Sequence, residues 1–151
     1  MNSLRDLYQE VILDHAKKPR NFRAIDAPSA KAEGFNPLCG DRATIFLTLE
    51  DDRIADVAFK GAGCSISTAS ASIMTEALRG KSRAEASALF DRFHKLVTAD
   101  PTKAADNADP ELGKLAVFAG VCEFPARVKC ASLAWHTMKA ALDGQGTVST
   151  E

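Results

Sequence analysis

Four cysteines, Cys39, Cys64, Cys122 and Cys130, carry most of the chemical potential of this 151-residue chain. A thiolate is both a nucleophile and a soft metal ligand, and its fate depends on the compartment. Arg5, Asp6 and Glu10 occupy the first ten residues, where a secretory signal would be apolar. No apolar run approaches the roughly 20 residues needed to cross a bilayer. A cytoplasmic setting is therefore expected, in which structural disulfides are rare and metal binding or thiol chemistry is favoured. The alternative at each position is a small buried apolar side chain, which free cysteine often is.

Position along the chain sharpens this. Cys39 stands in a loop before a strand, Cys64 between a strand and a helix N-terminus, and Cys130 in the first turns of the last helix. Element ends of this kind let a rigid scaffold aim side chains at one point. A helix N-terminus also favours the thiolate, at Cys64 above all. Asp41 follows Cys39 by two residues, and if a strand begins at Gly40 or Asp41 the two side chains point the same way. Cys-x-Asp can then supply one sulfur and one oxygen ligand, although a strand-edge or turn aspartate is the plainer reading. Zinc held by three thiolates and a carboxylate would carry a net charge of about −2. Arg127, three residues before Cys130 on the same helix face, and the adjacent Lys129 would offset it. Without that site Arg127 is a solvated helix charge. His15 falls on an apolar helix face and His136 faces away from Cys130, so none of His15, His94 and His136 is expected to bind the metal. The spacing alone, with no Cys-x-x-Cys knuckle, leaves a candidate metal site and no more.

The elements that must position these groups follow from periodicity. Leu4, Leu7, Tyr8, Val11, Ile12 and His15 share one face of a helix that Ser3 caps and Pro19 stops. Residues 20–38 read as an ordered loop or edge strand. Ile45, Leu47 and Leu49 alternate with Thr44, Phe46 and Thr48, then Glu50 to Arg53 turns into a second strand, Ile54 to Lys60. Ser65 to Arg79 fits a helix with Ile66, Ala69, Ile73 and Ala77 on one side and Gly80 as its stop. Ser82 to Glu85 matches a capping box opening another helix to about Val97. A polar stretch, Thr98 to Asp109, precedes a short helix around Pro110 to Ala119. Pro125 opens a last helix to about Asp143, with Trp135 and Met138 in the core, and residues 145–151 are expected to fray. The expectation is one α+β domain over residues 1–151, with helices packed on a small antiparallel sheet of about three strands. Hydrophobic residues at 46% and charged residues at 26% suit such a domain, and a net charge of −1 offers no field for nucleic acid or an anionic membrane.

Four segments, Leu7 to His15, Asn36-Pro37-Leu38-Cys39-Gly40-Asp41, Gly61-Ala62-Gly63-Cys64-Ser65-Ile66-Ser67 and Phe124-Pro125-Ala126-Arg127-Val128-Lys129-Cys130-Ala131, resemble the NifU/IscU-like iron–sulfur cluster assembly family. The match runs in order along nearly the whole chain. Lys129 stands where IscU-type members have histidine, and the stretch from Gly80 to Gly120 can hold an insertion of about twenty residues found in the SufU type. Both features resemble SufU-type members.

The resemblance implies the SufE/NifU (IscU-like) fold and a zinc site of Cys39, Asp41, Cys64 and Cys130. It implies a partner, the cysteine desulfurase SufS, whose persulfide sulfur passes to the thiol at Cys39 once that thiol has left the zinc. It also places Arg127 near the zinc in sulfur transfer or site stability. Downstream, a Suf scaffold or apo-protein acceptors would take the sulfur. A scaffold role, with a [2Fe–2S] cluster or iron on the same ligands, is the alternative, because one Cys₃Asp set can hold either. Cys122 departs from the SufU-type pattern. It reads as a buried or half-buried thiol, or as a competitor of Asp41 or a resolver of a persulfide on Cys39.

Overall fold

The computed structural model describes residues 4–37, 40–98, 110–144 and 146–149, with the backbone alone described at 4–7, 110–111, 122–123 and 147–149. Helix α1 (Leu4–Lys17) precedes three strands, β1 (Ala30–Asn36), β2 (Asp41–Glu50) and β3 (Arg53–Ala62). Helices α2 (Ser65–Leu78) and α3 (Arg83–Val97) follow, then a 3₁₀ segment (Pro110–Glu123), helix α4 (Pro125–Leu142) and a short strand β4 (Thr147–Ser149). The sheet order is β3-β2-β1-β4, antiparallel except for the β1–β4 pair, which is parallel. The three-stranded antiparallel sheet with helices packed on it is as expected. The tail is not frayed throughout. Thr147–Ser149 pairs with Glu33–Phe35, and Gly146 accepts a hydrogen bond from Glu33 N–H. Three residues show no periodicity, so their pairing has no sequence signature.

Alternation along the strands sets one face of the sheet against the helices. Ala32 on β1, Ala43, Ile45 and Leu47 on β2, and Val57 and Phe59 on β3 are buried there. The β2–β3 turn is tight: Asp51 and Asp52 both have positive φ, 50° and 68°, a conformation that a short polar side chain tolerates. The outer edge of β3 does not stand free. Phe59 exchanges backbone hydrogen bonds with Asn21 and Arg23, and Ile54 does so with Gly80 and Lys81.

Helix α2 departs from the simple stripe expected of it. Ala69 and Ile73 are buried and Ile66 and Ala77 only partly so, while Ser67, Ser70, Ser72 and Thr75 are buried as well. It packs between α1 and α4, which accounts for this nearly all-round burial. The hydroxyls of Ser70, Ser72 and Thr75 are hydrogen-bonded. Ser70 Oγ donates to the Ala131 carbonyl at 2.5 Å and accepts from Trp135 Nε1 at 3.2 Å. Ser72 Oγ accepts from Arg20 N–H at 2.8 Å and lies 2.7 Å from His15 Nδ1. The polar stretch before the 3₁₀ segment lies outside the described residues from Ala99 to Asp109. The segment itself runs beyond Ala119 and is broken at Gly113 (φ 54°, ψ −125°). Helix α3 opens with the expected capping box of Ser82 and Glu85, and its Phe93 stacks on Trp135 of α4 at 4.6 Å between centroids.

Two stability measurements test this packing. Ser70→Ala leaves the buried Trp135 N–H without its acceptor and should destabilise the fold by about 1–3 kcal/mol, read as a lower urea midpoint at unchanged slope. His15 is 1% exposed, and burial, then the nearby Arg20 charge, hold its pKa below the ordinary 6.5. The unfolded chain therefore takes up this proton before the folded one does. Its contribution to stability is full above about pH 6.5 and is lost as pH falls from there through the folded value. Urea midpoints at pH 7 and pH 5 should differ more in the wild type than in His15→Gln.

Candidate metal centre

Asp41 is the first residue of β2 and continues the inward alternation of Ala43, Ile45 and Leu47. It pairs with Asn36, the last residue of β1, and both are buried on the helix side of the sheet. Gly40, with φ of 77°, turns the chain into the strand, and its N–H donates to the Asn36 carbonyl at 2.8 Å. Cys64 is the N-cap of α2. Its Sγ accepts from Ser67 N–H at 3.5 Å, so the helix N-terminus points at the sulfur. Cys130 sits in the second turn of α4, which Pro125 opens, and is 8% exposed.

These three elements bring their side chains to one place. One ligand atom each from Asp41, Cys64 and Cys130 lies within 4.8 Å of the others, and among the described residues this is the one such group of three. The Cys64 N–H donates to Asp41 Oδ1 at 3.2 Å, and Cys64 Sγ lies 3.7 Å from Asp41 Oδ2. Burial pushes the Cys130 thiol well above its ordinary value, and the neighbouring Cys64 and Asp41 push it further. Without a cation the Cys130 thiol keeps its proton. Two sulfurs and a carboxylate oxygen are zinc donors, and a divalent ion would balance the charge they acquire on deprotonation. The set therefore fits a metal.

The centre opens at Cys64, which is exposed while Asp41 and Cys130 are buried. A cleft of about 610 Å³ leads to it between Ile12, Leu13 and Ile66 on one side and Ala126, Arg127 and Lys129 on the other. Arg127 lies with its guanidinium carbon 4.8 Å from the Phe124 ring centre, a cation–π contact. Arg127 and Cys130 thus line one cleft, in keeping with their helical spacing. Cys39 lies outside the described residues, and so does the side chain of Cys122, whose backbone belongs to the 3₁₀ segment. The histidines are engaged elsewhere. His15 meets Ser72, and His94 and His136 pack against Phe90 and each other.

Asn36, Gly63 and Ser67 stand inside the segments quoted above, but sequence reasoning gave them no role at the site. Asn36 and Ser67 are polar, buried and adjacent to the donors, and only their proximity in sequence to Asp41 and Cys64 could have signalled them.

Residues 7–143 match the family described as NifU-like N terminal domain. The chain is 42% identical over 142 residues to the iron–sulfur cluster assembly scaffold protein IscU of Streptococcus pyogenes serotype M1, covering 94% of this chain and 86% of that one. It is 39% identical over 137 residues to the zinc-dependent sulfurtransferase SufU of Bacillus subtilis (strain 168), covering 91% and 90%. A crystal structure of a proposed iron–sulfur cluster assembly scaffold protein for the SUF system from Fervidobacterium islandicum AW-1 superposes with a TM-score of 0.82 at 32% identity, covering 93% of this chain and 99% of that one.

Asp41→Ala should lower zinc affinity by at least roughly tenfold, the scale on which even outer partners of a metal site act, in competition with a chromophoric chelator. Unchanged affinity would remove Asp41 from the ligand set.

Proposed function

The chain belongs to the NifU/IscU-like family of iron–sulfur cluster assembly proteins, with SufU-type character, and on that premise we propose that it is a zinc-dependent sulfurtransferase. Its zinc ligands are Cys39, Asp41, Cys64 and Cys130. Its donor is a cysteine desulfurase of the SufS kind, and its setting is the cytoplasm. The observation that carries the reading is the convergence of Asp41, Cys64 and Cys130 beside a cleft lined by Arg127 and Lys129. Cys39 is two residues from Asp41, so the covalent chain alone keeps their Cα atoms within about 7 Å.

Zinc, when bound, holds thiolates deprotonated at neutral pH. The chain's own residues account for the rest. Cys39 is the nucleophile: its thiolate attacks the terminal sulfur of the donor persulfide, Enz–Cys–S–SH. A new sulfur–sulfur bond forms at Cys39, the donor's sulfur–sulfur bond breaks, and the donor cysteine leaves as a thiolate. The exchange involves no net oxidation. Arg127, poised over Phe124 at the cleft, offsets the negative charge of the incoming persulfide and of the leaving thiolate, and Lys129 adds to that field. Ile12, Leu13 and Ile66 give the approach an apolar wall. The sulfur then passes to a scaffold or to apo-protein acceptors.

A scaffold that builds a [2Fe–2S] cluster on the same ligands is the second reading, favoured by the similarity to the streptococcal IscU. Lys129, in place of the histidine of IscU-type members, favours sulfur transfer. Metal and sulfide content after anaerobic purification, with desulfurase turnover measured with and without the protein, separates the two. About one zinc per chain, no labile sulfide and a marked stimulation lost in Cys39→Ser are expected. Iron and sulfide in equal amounts with little stimulation would establish the scaffold, and normal stimulation by Cys39→Ser would remove Cys39 as acceptor.

A further inference from the structure

Gly63 joins the end of β3 to Cys64, the N-cap of α2, and lies directly over the carboxylate of Asp41. The demand for glycine here is not conformational. Gly40, Gly61, Gly80, Gly113 and Gly144 have positive φ, whereas Gly63 does not. A side chain here would have to displace its neighbours. A Cβ at position 63 would stand 2.9 Å from Asp41 Oδ1, 3.0 Å from Asp41 Cγ and 3.2 Å from Ser67 Oγ. At Gly40, by contrast, nothing lies within 4 Å of the corresponding point.

Asp41 has little freedom to yield. It is 3% exposed, and its short side chain is fixed to the first residue of a paired strand. Oδ1 accepts from Cys64 N–H, which leaves Oδ2 turned towards the Cys64 sulfur. The bare backbone of Gly63 thus allows the peptide N–H of Cys64 to reach one carboxylate oxygen while the other faces the thiols. A methyl group there would push the carboxylate off that N–H and away from the sulfurs. The Ser67 hydroxyl, also close to the same point, can rotate clear at little cost.

We infer that Gly63 is a positioning residue, whose missing side chain sets the orientation of the Asp41 carboxylate in the donor set. The inference rests on Asp41 acting as a metal ligand, and it deepens that reading by naming what aims it.

The test is a double-mutant cycle of wild type, Gly63→Ala, Asp41→Ala and the double variant, each measured with and without metal. In the metal-free proteins, Gly63→Ala should lower the melting temperature by a few degrees in the wild-type background. It should leave it unchanged once Asp41→Ala has removed the carboxylate it collides with. In the loaded proteins, Co²⁺ replaces zinc as a spectroscopic probe. Gly63→Ala should weaken Co²⁺ affinity roughly tenfold and shift its visible absorption bands to those of Asp41→Ala, with no further change in the double variant. Should Gly63→Ala cost as much melting temperature with Asp41 absent as with it present, the residue acts on the backbone and the inference is overturned. If the metal-free cycle behaves as expected but wild type and Asp41→Ala bind Co²⁺ alike, the positioning of Asp41 stands and its role as ligand falls.

Discussion

A carboxylate and two thiols with donor atoms within 4.8 Å of one another repel as soon as more than one is ionised, and two of the three are buried. Desolvation adds to that repulsion. The molecule answers with peptide dipoles before it answers with any cation. The first N–H groups of α2 are spent on the Asp41 carboxylate and the Cys64 sulfur, so the helix N-terminus lies against the groups that gain negative charge. Arg127 and Lys129 line the same cleft as Cys64 and Cys130 and add positive charge there. Each of β2, α2 and α4 must therefore begin within a residue or so of where it does. The hydrogen bonds of Ser70 to Ala131 and Trp135 hold α2 against α4, and with them Cys64 against Cys130.

Much of this scaffold was legible from short-range signals. The capping box at Ser82, the proline opening α4 and the alternation in β2 each reflect physics confined to a few residues, and each element formed where those signals put it. The all-round burial of α2 was less legible. The periodicity placed only Ile66, Ala69, Ile73 and Ala77 on its apolar side, and the packing of α1 and α4 on either side turns the Ser70 and Ser72 hydroxyls into interior hydrogen bonds. The centre itself is a long-range object. Asp41 is 23 residues from Cys64, and Cys130 lies on a different helix again, so no local pattern encodes their meeting. Their placement at element ends raised them as candidates, and the resemblance of whole segments to a family supplied the grouping. The role of Gly63 was not legible because glycine before a helix has an ordinary explanation, and its actual neighbour becomes visible only in three dimensions.

Burial across the donor set is uneven, with Cys64 on the outside and Asp41 and Cys130 within. Of the described donors, two lie in the interior and one at the mouth, so the centre can be approached from the cleft without opening the core. The core beneath, anchored by Trp135 against Phe93 and Ser70, need not rearrange for a visitor to reach the sulfur.

The sheet has a bearing on how such a molecule survives at high concentration. A strand edge with open N–H and carbonyl groups is a template for another chain, and chains joined edge to edge grow into aggregates. Here β4 lies along one side, and the segments around Arg23 and Lys81 bond to β3 on the other. One flank is thus left with a three-residue edge strand and the other is partly bonded by loops, which leaves little template for strand addition.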